Sequence, residues 1–199
     1  MVDYVVLTKL TNEEYQIMTY IILGIIVIAL LYLITSYNNL IKKKNLVEEG
    51  WSSIDVQLKR RSNLIPNILS SVKGYMSHEK NLLEEITELR SQSDAADNVI
   101  DQGKAESSLS GSLMNLFAVA ENYPELKANE NFLDLQKQLQ EIEDDIQMAR
   151  RYYNGTVRNN NVLVESFPTN LVANAFSFGK ADFFEIKDQN VRDVPKVEF

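Results

Sequence analysis

Residues Ile17 to Ile34 (IMTYIILGIIVIALLYLI) form an uncharged apolar run, and no charged side chain occurs between Glu14 and Lys42. At about 1.5 Å per helical residue, such a run crosses the roughly 30 Å hydrocarbon core of a bilayer. Tyr15 and Tyr20 at one end and Tyr32 and Tyr37 at the other suit the two aromatic interface belts. The stretch Thr11-Asn-Glu-Glu14 carries a capping-box signature, which predicts a helix start just before the run. A core helix of a globular domain keeps a polar face, and this run has none. It predicts a transmembrane helix over 17–37, preceded by a short extracytoplasmic N-terminus over 1–16.

A secretory signal would need a basic flank, a shorter apolar core and a small-residue cleavage site. The flank here holds Asp3, Lys9, Glu13 and Glu14, and Thr35-Ser-Tyr-Asn-Asn39 follows the run without such a site. The segment is therefore expected to stay as an anchor in the cell membrane, crossing it once. Lys9 alone precedes the span, whereas Lys42, Lys43 and Lys44 follow it closely. The positive-inside rule then places the N-terminus outside and the chain from Asn38 onward in the cytoplasm.

Before Lys42 the only basic residue is Lys9 and the only acidic ones are Asp3, Glu13 and Glu14, so 19 basic residues face 25 acidic ones thereafter. That balance argues against a nucleic-acid partner, since neutralising phosphates needs a basic surface. It also disfavours broad docking on anionic lipid beyond the Lys42–Lys44 cluster. The absence of cysteine removes disulfides, thiolate nucleophiles and Cys-ligated zinc. With 7 Gly and 4 Pro in 199 residues, long helices are the expected solution.

Three stretches show sustained helical spacing. The first steps by threes and fours through Tyr37, Leu40, Lys44, Val47, Trp51, Ile54, Leu58, Arg61, Ile65, Ile68, Val72 and Tyr75. Nothing separates it from the anchor, so one rod should join membrane and domain, kinked or locally unwound at Pro66 and stopping near Gly74. The second starts near Ser77 as N-cap and follows Leu82, Ile86, Leu89, Ser93, Ala96 and Ile100. It weakens around Asp101-Gln-Gly103 and resumes with Leu109, Leu113, Leu116 and Ala120 before Tyr123-Pro124 ends it. The third runs Phe132, Leu135, Leu139, Ile142, Ile146, Ala149, Tyr153, Thr156, Asn160, Leu163 and Phe167, with Asn129 as N-cap and Pro168 near its stop.

Such seams predict an all-α fold, an elongated antiparallel helical bundle over 38–179 with coiled-coil-like packing. A last short helix after Pro168 would bury Leu171, Val172, Ala175 and Phe176, ending at Gly179. The tail over 180–199 reads as extended. Its Phe183, Phe184, Ile186, Val194, Val197 and Phe199 are too apolar for a solvated segment and are expected to pack on the bundle or a neighbour. Trp51 is expected to anchor the core between helices.

Several blocks of this sequence resemble the LemA family of small bacterial membrane proteins. They are Tyr37-Asn-Asn-Leu40, Gly50-Trp-Ser-Ser-Ile-Asp-Val-Gln-Leu-Lys-Arg-Arg61, Leu64-Ile-Pro-Asn67 and Val72-Lys-Gly-Tyr-Met-Ser-His-Glu79. Tyr123-Pro-Glu-Leu-Lys-Ala-Asn-Glu-Asn-Phe132, Ala149-Arg-Arg-Tyr-Tyr-Asn154 and Ser166-Phe-Pro-Thr-Asn170 extend the likeness over residues 17 to 199. Two departures are a longer segment before the anchor and Gly50 where alanine is more usual. The resemblance implies a single-pass anchor, a helical-bundle domain and an N-terminus outside. It implies no enzymatic activity, and a family member in magnetosome membranes points to membrane organisation.

No residue is assigned a catalytic, metal-binding or cofactor-binding role. His78-Glu79 holds the single histidine, too few for a zincin pair, and reads as the first turn of the second helix. Lys59-Arg-Arg61 could clamp a phosphate, but Arg61 falls on the apolar seam with Asp55 six residues earlier, which favours ion pairing. Glu141, Glu143, Asp144 and Asp145 lack the Glu-x-x-His partners of a di-metal bundle and read as a solvated face. Gly155 and Asn160 interrupt the third seam, Asn160 as a register-fixing polar residue or, less favoured, part of a polar site.

These features predict a non-enzymatic scaffold or adaptor, with the lipid bilayer and other membrane or envelope proteins as partners, no nucleic acid and no cofactor. The alternative is a self-assembling homo-oligomer that organises or remodels the membrane.

Overall fold

A computed structural model describes residues 2–76 and 78–184, with side chains from Tyr15 onward. Among these residues every regular element is a helix. They are α1 (Val2–Val72), α2 (Lys80–Asp94), α3 (Val99–Ala120), α4 (Pro124–Lys127), α5 (Glu130–Glu165) and α6 (Thr169–Ala175). The window of highest apolarity in α1 has a mean hydropathy of 2.8 and none of it is buried, so α1 holds one helix long and apolar enough to cross a membrane.

The rod is continuous: α1 runs from the apolar segment into the bundle without a break. Two expectations change here. The Thr11–Glu14 capping box does not start the helix, which already runs from Val2. Pro66 does not unwind it either, because Ile65 and Ile68 on both sides of the proline are fully buried and hold the two turns in the core. Ser70 Oγ donates to the Pro66 carbonyl at 2.7 Å. Gly74 lies in the turn that follows the last helical residue, Val72.

The second stretch is a helical hairpin, α2 turning into α3 at Ala95–Asn98, rather than one interrupted helix. The turn comes earlier than the weak spot at Asp101–Gly103 because Asn98 caps α3, its side chain accepting from Asp101 N at 2.9 Å. Glu79, one residue before α2, occupies that helix's cap position, and His78 is exposed in the preceding turn rather than inside the helix. Ser77 lies outside the described residues. Cross-helix pairs such as Glu85 with Ser112 and Ser93 with Glu106 show that α2 and α3 are antiparallel.

Helix α5 packs antiparallel along α1, with Trp51 edge-on to Tyr153 at 5.6 Å between ring centroids. Asn129 caps α5 by accepting from Phe132 N at 3.1 Å. The result is an up-down-up-down bundle of α1, α2, α3 and α5. Its hairpin flanks only the half farther from the apolar run, since Asp94 sits beside Lys59 and Ser62. In the nearer half, α1 and α5 pair without it.

There Gly50 is buried, and a Cβ added to it would lie 3.2 Å from both Tyr153 Cα and Thr156 Oγ1. Glycine is what lets the two backbones approach. A separate small core of Leu40, Val164, Val172 and Ala173 closes the end next to the apolar run. Between it and the main core, Lys44 is exposed on the seam and pairs with Glu48 at 3.8 Å.

The last helix shows a different face from the expected one. Val172 is buried as expected and is joined by Thr169 and Ala173, whereas Leu171 points outward, Ala175 is exposed, and Phe176 rests half exposed on Tyr37. Phe167 is likewise exposed rather than on the α5 seam, because α5 ends at Glu165. Ser177, at φ 59°, sits in the left-handed region and turns the chain into an extended segment.

Candidate functional site

The clearest concentration of polar chemistry is built around Arg61, a residue only 1 % exposed. Its guanidinium meets the carboxylates of Glu106 on α3 and Glu143 on α5, and Nη1 donates to Ser110 Oγ at 2.6 Å. Ser93 on α2 donates to the other oxygen of Glu106. All four long helices therefore meet at one buried ionic node. A guanidinium suits such a place because its planar fork satisfies several acceptors at once.

The basic triplet divides its work by helical geometry. Lys59 faces Asp94 on α2 at 4.0 Å, Arg60 faces Asp145 on α5 at 3.2 Å, and Arg61 enters the core. Successive helix positions lie about 100° apart, so three neighbours reach three different surroundings. Ion pairing thus accounts for the triplet, although Asp55 is exposed and not the partner. The acidic run on α5 is not a uniformly solvated face: Glu143 and Asp145 turn to these arginines, while Glu141 and Asp144 remain exposed.

Beside the node, a groove of ≈ 320 Å³ lies between α3 and α5, lined by Ser110, Leu113, Met114, Leu139, Glu143 and Arg150 among others. Burial pulls the Arg150 guanidinium down from its ordinary pKa, with Glu143 opposing that shift and Arg61 adding to it. Ser110 is the one groove hydroxyl next to a carboxylate, 3.4 Å from Glu143 Oε1. Arg61 binds the same carboxylate and also donates to Ser110, so both groups are already engaged in the ionic node. The groove offers recognition by hydrogen bonds and charge more readily than covalent chemistry. Among the described residues no cluster of His, Asp and Glu has the arrangement of a metal site.

A second polar device holds the segment after α6. Asn154 grips Phe184 through both amide atoms, accepting from its N–H at 2.9 Å and donating to its carbonyl at 3.1 Å. Asn161 grips Ala181 in the same way, at 2.9 Å in each direction. Asn160 donates to the Gly179 carbonyl at 3.4 Å, and the Tyr153 hydroxyl donates to that of Asp182 at 2.8 Å.

Phe184, 2 % exposed, packs by Trp51 and beneath Arg150, whose guanidinium carbon is 5.0 Å from the ring centre. Trp51 is half-buried under this segment rather than enclosed between helices. Asn160 is thus part of a polar clamp. Ile186, Val194, Val197 and Phe199 lie outside the described residues. Sequence reasoning missed Asn154 and Asn161, although a helix carrying Asn154, Asn159, Asn160 and Asn161 is unusual for a residue that favours caps and turns.

The LemA family matches residues 50–199. The chain belongs to the LemA family. Protein LemA of Metamycoplasma hominis is 27% identical over 165 residues, covering 81% of this chain and 74% of that protein. Magnetosome protein MamQ 2 of Paramagnetospirillum magneticum is 22% identical over 181 residues, covering 78% of this chain and 66% of that protein. Magnetosome protein MamQ of Magnetospirillum gryphiswaldense is 21% identical over 197 residues, with 84% and 72% covered. In this LemA-family chain, the matched region takes in the buried node, the Asn clamp and the α6 corner.

Proposed function

We propose that this protein is a non-enzymatic scaffold or adaptor, anchored in the bacterial cell membrane and displaying its bundle to other membrane or envelope proteins. The observation that carries the reading is the unbroken α1, which joins a candidate span to the bundle in one helix. A continuous helix transmits position and orientation where a flexible linker would not. The buried node supports the same view, since its ionic groups face each other across the helices. The Lys42–Lys44 cluster favours a cytoplasmic bundle with the N-terminus outside.

A second reading, self-assembly into a membrane-organising array, draws on the similarity to the magnetosome proteins MamQ. Cross-linking in native membranes, followed by mass determination of the detergent-solubilised complexes, separates the two. Heterologous adducts support the adaptor, whereas a ladder of self-adducts supports the array. Orientation is tested with single cysteines replacing Asn98 or Asn12 in the naturally cysteine-free chain. Impermeant thiol reagents added to intact cells should label only the cysteine at position 12, and the reverse pattern would overturn the topology.

A further inference from the structure

The corner between α5 and α6 is fixed at a definite height along α1. The Tyr32 hydroxyl lies 3.1 Å from Thr169 Oγ1, and Tyr37 meets Phe176 and Phe178 edge-on at 4.9 and 5.6 Å. Tyr32 precedes the end of the apolar run at Ile34 by two residues, so Thr169 sits about 3 Å inside that run by helical rise. The large side chains around Thr169 that face outward are apolar, Phe167 being 78% exposed and Leu171 61% exposed, with the smaller Ser166 and Asn174 exposed beside them.

Charge appears in the same order on both structures. Along α1 the first charged residues after the run are Lys42–Lys44. Beside the corner they are Glu165 and Lys180, which pair with each other. Lys180 shares a groove with Lys44, and Phe176 and Phe178 stand at the level of Tyr37, where an aromatic belt belongs. By its level along α1, the outward pair Phe167 and Leu171 thus continues the exposed apolar surface of the run and stops where the charges begin. An exposed patch of this kind on a soluble surface marks an interaction site, and this continuity names the occupant.

We propose that the α5–α6 corner is a second membrane contact, with Phe167 and Leu171 seated in the acyl-chain boundary of the leaflet where α1 leaves the bilayer. One spanning helix leaves a rod free to rotate about its own axis. A second contact on one side fixes which face of the bundle looks toward the membrane and which looks away. Tilt and rotation of a span are set by such flanking anchors. The inference rests on the anchoring reading above.

The test uses the full chain in phosphatidylcholine–phosphatidylglycerol vesicles, with single cysteines replacing Phe167, Leu171, Leu30 or Met148, each carrying a nitroxide. Leu30 lies in the apolar run and Met148 is an exposed α5 residue in the bundle. Collision with oxygen reports acyl chains, and collision with a soluble nickel chelate reports water. The labels at 167 and 171 are expected to match the one at 30, with oxygen contact several-fold above that at 148 and little nickel contact. Water-like labels at 167 and 171 beside a lipid-like label at 30 would overturn the second contact and leave the anchor standing. Labels at 167 and 171 shielded from both reagents would overturn it in favour of a covering protein. A water-like label at 30 would overturn the anchor itself, and the inference with it.

Discussion

The two halves of the bundle are held together by different means. Far from the apolar run, four helices enclose Ile65, Ile68, Ile86, Leu113 and Leu116, and one buried arginine ties α1 to α3 and α5. Near the run, α1 and α5 pair without the hairpin, and the short α6 and an extended segment take its place. The far half gains its stability from side chains on rigid rods. The near half depends on asparagine amides binding a backbone that has no helix or sheet of its own. Local opening is drawn from regions with fewer buried apolar contacts, so the near half should open first.

Breaking the node tests the far half and should give the largest effect. Arg61→Leu leaves the Glu106 carboxylate buried without its cation, a loss of about 3–5 kcal/mol. Thermal or denaturant unfolding should register it as a drop in global stability. Pairing Arg61→Leu with Glu106→Leu and Glu143→Met should recover most of the loss, because apolar replacement of a buried ionic cluster is often neutral or better. A single substitution costing nothing would place water inside the node.

Trp51→Ala is the matching test of the near half. Trp51 is half-buried, so the expected loss is roughly 2 kcal/mol, below that of a fully buried tryptophan. Hydrogen exchange should rise at residues 179–184 and on the facing stretch of α5 before it rises in α2 and α3. Uniform acceleration across both halves would mean that the bundle unfolds as one unit.

The contrast also decides what was legible in the sequence. Apolar seams fixed by a 3-4 period identify the long helices, because period and burial are the same fact seen twice. The α2–α3 hairpin was harder: Ser93, Ala96 and Ile100 keep the period across a turn that Asn98 creates by capping. Partners of Arg61 lie 45 and 82 positions away (61 to 106 and 61 to 143), and no local spacing names them. In the near half the seam misplaces Phe167, which lies beyond the end of α5, and the expected face of the last helix misplaces Leu171. The clamp was hidden because its partners on the extended segment are backbone N–H and carbonyl groups, which carry no residue signature.

The clamp should yield a smaller and more local effect. Asn154→Ala removes two hydrogen bonds to Phe184, a loss of about 1–2 kcal/mol confined to release of the segment. Trp51, the sole tryptophan, should become more open to acrylamide while the helical signal stays unchanged. Alkaline pH should act on the same contact. Burial pushes the Tyr153 phenol above its ordinary value of 10.0, with Asp182 adding to the shift. A raised phenol pKa means that the neutral hydroxyl is favoured in the folded state. Its contribution is therefore fully present below the unfolded value near 10 and is lost as pH climbs through the raised folded value. Acrylamide access to Trp51 should rise in that window, and Tyr153→Phe should flatten the rise.

Gly50→Ala is the smallest and sharpest probe, because two opposed effects of similar size meet there. Alanine in a helix interior favours folding by about 1 kcal/mol over glycine. Its methyl, however, would lie 3.2 Å from Tyr153 Cα, a backbone atom that moves only if α5 moves. The other close neighbour, Thr156 Oγ1, is tied to the Tyr153 carbonyl at 2.7 Å and does not swing clear. The helices must therefore separate by a few tenths of an ångström, loosening the Trp51–Tyr153–Phe184 packing on which the clamp closes. The expected outcome is a global stability within about 1 kcal/mol of the starting protein, together with faster exchange at residues 179–184. A gain in stability with unchanged exchange would show that the near half has slack, and that the close approach at Gly50 is not what keeps the segment in place.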